Sequence, residues 1–131
     1  MRREFELPST DVEFLVQTKK EWETVNENGV MRVIIHGYSV PAEYTVESVS
    51  LNFRIENSYP DTQIDMVYFY PHLIRKDGKQ IGAISADAFD SKSWQRWSRH
   101  RTAANPWRPG VDNIETQLLL VDEWVKRELT K

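Results

Sequence analysis

The residues of this sequence best suited to chemistry lie in the run Ser98-Arg99-His100-Arg101. A serine hydroxyl is a weak nucleophile at neutral pH and needs a neighbouring base. His100 follows Ser98 by two residues, and side chains at i and i+2 share one face of an extended segment. In an extended segment this spacing lets His100 reach Ser98 as a base or orienting group, with Arg99 and Arg101 available to stabilise an oxyanion, whereas in a helix the two side chains would diverge. A serine that only satisfies nearby backbone groups is the competing interpretation.

This run lies in a longer segment, residues 94–110, that has an unusual composition. Its 17 positions hold four arginines, three tryptophans and one histidine, and no acidic residue. The segment shows neither helical nor strand periodicity, and its tryptophans argue against disorder. Because a long irregular segment in a small domain is usually functional, we predict an ordered functional loop at about 85–110.

Three roles are open for the aromatic and basic side chains of this loop. The first is a partner-binding surface, to which we assign Trp94, Arg96, Trp97, Trp107 and Arg108, together with His72 from outside the loop. In the second, the tryptophans stack on single-stranded nucleic acid while the arginines hold phosphates. The short basic patch and the net charge of −3 argue against nucleic acid. In the third, Trp107 and at least one other tryptophan pack in the core, and the arginines form a rim that docks an acidic partner.

Size and composition favour a soluble protein with one domain, residues 1–131. The sequence contains no cysteine, which excludes disulfides, thiolate metal sites and a cysteine nucleophile. Its three histidines lack the spacing of a metal site, and we expect no cofactor. No apolar leader or membrane-spanning run is visible, so we expect a cytoplasmic protein without a membrane partner.

The hydrophobic pattern predicts a helix at each end of the domain. A capping box at Thr10 begins a helix at about 10–20. Asp112 and Glu115 begin a closing helix at about 112–129, whose apolar stripe covers the sheet.

Between the first helix and the loop, the pattern predicts strands. Alternating apolar residues and the hairpin turn Asn28-Gly29 indicate a four-stranded antiparallel meander at about 22–84. The order is helix, meander, long loop and helix, so the predicted fold class is α+β.

Three motifs are similar, in this order, to those of the ubiquitin-conjugating (UBC) superfamily. Tyr59-Pro60 lies between the third and fourth predicted strands, where that superfamily keeps a Tyr-Pro turn. Tyr70-Pro71-His72 takes the place of its His-Pro-Asn motif, and Trp107-Arg108-Pro109 that of its Trp-x-Pro motif. The stretches 59–63 and 94–101 more specifically resemble the prokaryotic UBC-like family E. The resemblance covers nearly the whole chain and implies a UBC-like fold.

The resemblance implies a bacterial conjugating-enzyme-like protein. Such a protein receives a ubiquitin-like modifier from an activating (adenylating) enzyme and transfers it to a target. Similar bacterial sets often include a deubiquitinase-like peptidase, and some are tied to phage defence. The superfamily's catalytic cysteine, which lies shortly before Trp-x-Pro, is missing here. Ser98 lies nine residues before Trp107, about where that cysteine would fall, so the resemblance implies a modifier held on Ser98 as an oxyester.

Several details of this interpretation stay open. Ser85, Ser91 and Ser93 are rival acceptors. Asn105 is assigned the hydrogen bond of the lost His-Pro-Asn asparagine. His72 is either a remnant of that motif that shapes the site or an ordinary histidine in a turn. A further alternative is an inactive adaptor, like the ubiquitin E2 variants, that binds the modifier without covalent chemistry.

Overall fold

The computed structural model describes residues 1–131 as two helices and one six-stranded antiparallel sheet. Helices α1 and α2 span Ser9–Gln17 and Ile114–Glu128. The strands are β1 (Trp22–Glu27), β2 (Val30–Ser39), β3 (Ser48–Arg54), β4 (Val67–Tyr70), β5 (Ile84–Phe89) and β6 (Lys92–Trp97). Across the sheet their order is β1-β2-β3-β4-β6-β5. The predicted α+β class is confirmed, and the architecture is consistent with a UBC-like fold.

The first hairpin forms where the sequence predicted it. Asn28 and Gly29 have φ values of 52° and 87°, as the tight turn of a two-residue hairpin requires. The register pairs Glu27 with Val30 across this turn. Strands β2, β3 and β4 then follow one another in the sheet, so the first four strands form the predicted meander.

The predicted loop at about 85–110 is wrong over its first half, which forms a second hairpin of β5 and β6. Asp90 and Ser91, with φ values of 55° and 58°, make its turn. Strand β6 inserts between β4 and β5, so the sheet has six strands instead of four. The sequence of β6 does not show alternating apolar and polar residues, because both faces of the strand are buried. Trp94 packs on one face of the sheet, and Trp97, three residues later, packs on the other.

The N-cap of helix α2 is Asn113, one residue after the Asp112 that the sequence predicted. Asn113 accepts a hydrogen bond from the Thr116 amide at 3.1 Å, and the Thr116 hydroxyl accepts one from the Asn113 amide at 3.0 Å. This is a reciprocal capping box. Asp112 instead accepts from the Arg108 amide at 2.7 Å, so it stabilises the preceding turn.

The two faces of the sheet carry cores of different size. Both helices pack on one face, where the main core includes Leu15, Leu51, Phe53, Phe69, Trp97, Val121 and Trp124. Burying each such side chain contributes roughly 1.5–3 kcal/mol. The opposite face, which we call the open face, holds a smaller cluster of Val25, Ile34, Tyr68, Phe89 and Trp94.

A charged cluster ties the N-terminus and β1 to the turn of the second hairpin. The Arg2 guanidinium lies 2.8 Å from Glu23 and 2.7 Å from Asp90. His36 on β2 lies between Glu23 Oε2, at 2.8 Å, and the Ser50 hydroxyl, at 2.7 Å. Hydrogen bonding from Arg2, opposed by burial, lowers the pKa of Glu23 from 4.5 to about 2.

We expect this cluster to make stability fall in acid. Because the pKa of Glu23 is lower in the folded state, its contribution is complete above about pH 4.5 and is lost as the pH falls toward about 2. Urea denaturation of Glu23→Gln should give a lower free energy of unfolding at neutral pH. Between about pH 4.5 and about pH 2, that free energy should fall less steeply than in the wild type. The matched variant Glu13→Gln, on the exposed side of α1, should keep the wild-type slope. Equal slopes for all three proteins would contradict this role of Glu23.

Candidate functional site

Ser98 lies at the point where β6 ends. Its amide donates to the Ala83 carbonyl at 3.0 Å, which extends the pairing of β5 and β6 by one step. The Arg99 amide then donates to the Trp97 carbonyl at 2.9 Å, which closes a three-residue turn centred on Ser98. Ser98 is half-buried and lines a cleft of about 450 Å³ together with Gln80, Gly82, Ala83, Arg99, Glu128 and Lys131. We call this the Ser98 cleft.

His100 is not bonded to Ser98, contrary to the geometry that the spacing predicted. The turn at Ser98 breaks the extended conformation in which residues two apart share a face. The His100 ring instead places Nδ1 2.8 Å from Asp65 Oδ1. A carboxylate only accepts hydrogen bonds, so the neutral ring carries its proton on Nδ1 and leaves Nε2 as a free acceptor. Asp65, 35 residues away in sequence, had no signal that marked it as a partner.

Arg99 faces a carboxylate inside the Ser98 cleft. Its guanidinium lies 2.9 Å from Glu128 Oε1 and 4.8 Å from the centre of the Trp97 ring. The Glu128 side chain is 4% exposed and also lies 3.7 Å from the Lys131 ammonium. Sequence reasoning missed Glu128, although its position on the apolar stripe of α2 marked it as an unusual buried charge.

Arg101 and Asn105 lie away from the Ser98 cleft. The Arg101 side chain is 5% exposed and lies 3.6 Å from Asp112. Its guanidinium is 5.0 Å from the centre of the Trp107 ring, so the side chain is buried between Trp107 and Asp112. Asn105 is exposed in a turn that its amide closes onto the Thr102 carbonyl at 3.0 Å. Arg99 is thus the predicted oxyanion-stabilising residue that shares a cleft with Ser98.

The structure does not present Trp94 and Trp97 to a partner. Both are almost fully buried, at 1% and 0% exposure. The Trp94 indole donates to the Phe89 carbonyl at 2.9 Å, and the Trp97 indole to Gln95 Oε1 at 3.0 Å. These rings therefore have no face available for stacking on a base, which removes the main support for the nucleic-acid alternative.

The more accessible members of the predicted partner surface lie apart from one another. Arg96 is half-buried on the open face, and Arg108 is exposed beside Asp112. Trp107 is half-buried, and its ring packs against that of Tyr59, with 6.1 Å between the ring centres.

His72 lies at the far end of β6 from Ser98. Its Nε2 is 2.9 Å from the Ser93 carbonyl. Val67 on β4 pairs with Trp97, whereas Phe69 pairs with Gln95, so β4 runs away from Ser98 toward His72. Tyr70-Pro71-His72 therefore does not contribute to the Ser98 cleft.

Among the rival acceptors, none lines the cleft that holds Ser98. The Ser85 hydroxyl accepts from Arg96 Nε at 3.0 Å on the open face. Ser91 and Ser93 lie at the turn and the first residues of β6, at the opposite end of that strand.

Neither a metal nor a membrane is indicated by the structure. No group of three or more His, Asp or Glu side chains is close enough to hold a metal ion. Both helices are too short or too polar to cross a lipid bilayer.

Comparison with protein families gives a match. The model of the prokaryotic E2 family E matches residues 7–128. The chain belongs to this family. Curated proteins and solved structures give no match. Family E membership indicates a bacterial E2-like conjugating protein and implies interaction with a ubiquitin-like modifier and an activating enzyme.

The Tyr-Pro and Trp-x-Pro motifs of this family E protein meet at a buried carboxylate. The Trp107 indole donates to the Pro60 carbonyl at 2.9 Å, and the Tyr59 hydroxyl donates to Asp11 at 2.6 Å. The other Asp11 oxygen accepts from the Ile114 amide at 3.1 Å. Burial raises the pKa of Asp11 and, more strongly, that of the Tyr59 hydroxyl, which stays a neutral donor. These contacts fix the start of α2 and the loop that follows Ser98.

The Asp65–His100 contact predicts an unusual imidazole tautomer. Long-range ¹H–¹⁵N NMR at mildly alkaline pH should show His100 protonated on Nδ1, with Nε2 bare. His36, whose Nε2 faces Glu23, should show the opposite tautomer in the same spectrum. Asp65→Ala should shift His100 toward the Nε2–H form, and the matched variant Asp61→Ala should not. An Nε2–H form of His100 in the wild-type protein would exclude this arrangement.

Proposed function

We propose that this family E protein accepts a ubiquitin-like modifier on Ser98 as an oxyester. The observation that carries the proposal is the position of Ser98 at the end of β6. Of the four serines considered, Ser98 alone lines a cleft with charged groups, Arg99 and Glu128. It is also two residues from an imidazole held by a carboxylate. The chain has no cysteine that could form a thioester.

In the proposed step, Ser98 Oγ attacks the C-terminal acyl carbon of the activated modifier. An ester C–O bond forms, the bond to the activating enzyme's carrier group breaks, and the serine proton passes to His100 Nε2. This transfer requires Nε2 to come within hydrogen-bond reach of Ser98 when the modifier is bound. Asp65, through Nδ1, keeps Nε2 available as the acceptor.

Electrostatic support for the step falls to Arg99. Its guanidinium lies in the Ser98 cleft and can donate to a developing oxyanion while remaining paired with Glu128. Arg101 and Asn105, which lie outside this cleft, have indirect roles in the proposal. Arg101 holds the loop against α2 through Asp112.

The wider setting of the proposal follows from the family. The activating enzyme supplies the modifier, and a deubiquitinase-like peptidase removes it from targets. We place this cycle in the cytoplasm of a bacterium, with phage defence as its setting.

The central test is the formation of a covalent adduct. The protein is incubated with ATP, the activating enzyme and the modifier encoded nearby, and intact mass is measured. We expect an adduct that resists thiols, is cleaved by hydroxylamine or mild base, and is absent from Ser98→Ala. Ser93→Ala, at the other end of β6, should form it normally. A thiol-sensitive adduct, or one that persists in Ser98→Ala, would exclude the oxyester at this serine.

The rate of adduct formation tests the roles of His100 and Asp65. Removal of a general base lowers the rate by about 10²–10⁴-fold, so His100→Gln should slow the step by that amount at saturating modifier. Asp65→Asn should slow it less, because the imidazole stays in place but loses the carboxylate that orients it. Asp61→Asn is the matched control and should react at the wild-type rate. Wild-type rates in His100→Gln would assign proton transfer to another group.

The adaptor interpretation is the second candidate, because the structure contains no Ser98–His100 hydrogen bond. The adduct experiment distinguishes it from the oxyester proposal. An active activating enzyme together with measurable modifier binding but no adduct would favour a non-covalent adaptor.

A further inference from the structure

A second cleft, of about 490 Å³, opens on the open face of the sheet. We call it the Arg96 cleft; its lining includes Arg54, Glu56, Thr62, Gln63, Tyr68 and Arg96. Arg96 and Tyr68 are directly paired across β6 and β4. Directly paired residues on one face have Cβ atoms about 4.5–5.5 Å apart, so both side chains leave the sheet from neighbouring positions and line the same cleft.

Arg96 is the cation of this cleft that no carboxylate neutralises. Its Nε donates to the Ser85 hydroxyl at 3.0 Å, which fixes the side chain but leaves its charge unpaired. The two acidic residues of the lining are engaged elsewhere. Glu56 lies 3.3 Å from Arg54, and Asp65 lies 2.8 Å from His100. The terminal N–H groups of Arg96 therefore remain as free donors, in the planar arrangement that suits an oxyanion.

Tyr68 adds an unpartnered hydroxyl to the same cleft. The residue is 4% exposed, and its ring lies 4.4 Å from the Arg32 guanidinium. The hydroxyl makes no hydrogen bond to another protein group, and its oxygen is accessible from the cleft, where a ligand can reach it. Burial raises the pKa of Tyr68, against the opposing effect of Arg32, Arg96 and Arg54, so the hydroxyl stays a neutral donor.

We propose that the Arg96 cleft binds a carboxylate of a peptide, with one oxygen on the Arg96 terminal N–H groups and the Tyr68 hydroxyl donating to the other. Arg54, at the rim of the cleft, is paired with Glu56, which leaves Arg96 as the cation available to the carboxylate. The polar side chains Thr62 and Gln63 provide hydrogen-bonding groups for the flanking backbone. This binding does not require Ser98 to react and is measured with the protein alone.

The charges of the lining favour a carboxylate over a phosphate. Glu56 and Asp65 lie in the same cleft and repel a dianion more strongly than a monoanion. A carboxylate also offers two coplanar oxygens, one for the Arg96 N–H groups and one for the Tyr68 hydroxyl.

The experiment titrates the ¹⁵N-labelled full chain with the peptide acetyl-Gly-Gly-Glu-Gly-Gly-amide. Saturable shifts of the amides that line the Arg96 cleft are expected, and the glutamine analogue of the peptide should bind much more weakly. Tyr68→Phe removes only the unpartnered hydroxyl, so it should fold normally and bind about tenfold more weakly. Arg96→Gln should abolish the shifts. Tyr70→Phe, on the same face of β4, and Ser98→Ala should both bind like the wild type.

Three outcomes would overturn the proposal. The first is the absence of saturable shifts with the peptide. The second is tighter binding of inorganic phosphate, used as the parallel probe, which would assign the cleft to phosphate. The third is unchanged affinity in Tyr68→Phe. The peptide titration uses no activating enzyme or modifier. A negative titration therefore says nothing about the adduct at Ser98, and the absence of an adduct says nothing about peptide binding in the Arg96 cleft.

Discussion

Strand β6 is held in place by two indole rings buried on opposite faces of the sheet. Trp97 packs into the main core with its ring 5.3 Å from that of Phe69, and Trp94 packs into the smaller cluster on the open face. Each buried aromatic side chain contributes a few kcal/mol, so β6 is fixed from both sides. Both proposed sites depend on this strand, because Arg96 projects from its open face and Ser98 ends it.

The arginines that follow β6 are explained by the acidic residues of the closing helix. Arg99 reaches Glu128 at the C-terminal end of α2, whereas Arg101 reaches Asp112 just before its N-terminal end. The segment that contains Ser98 is therefore fastened to both ends of one helix. The sequence showed a basic run without acidic residues because the partners lie elsewhere in the chain. Removing one partner of an ion pair with so little exposure lowers the stability of the protein by several kcal/mol. We therefore expect both arginines to contribute to the stability of the fold.

Local patterns in the sequence were sufficient to predict the fold class, the first hairpin and the closing helix. Each depends on residues close together, such as Asn28-Gly29 at a two-residue turn. The second hairpin was missed for two reasons. Its turn, Asp90-Ser91, lacks glycine, and its two tryptophans are three residues apart, so they lie on opposite faces and do not show the every-second-residue pattern of a strand with one buried face. The partners of the candidate site were missed for another reason. Asp65 and Glu128 meet His100 and Arg99 only through the tertiary fold, and the turn at Ser98 cancels the i and i+2 geometry on which the predicted pair relied.

An oxygen acceptor needs features that a sulfur acceptor does not. A cysteine is partly ionised near neutral pH and reacts without a dedicated base, whereas a serine hydroxyl keeps its proton until a base removes it. A chain that replaced a thiol by a hydroxyl without other changes would therefore be inactive. In the proposed step, the Asp65–His100 pair supplies that base, with Nε2 as the proton acceptor.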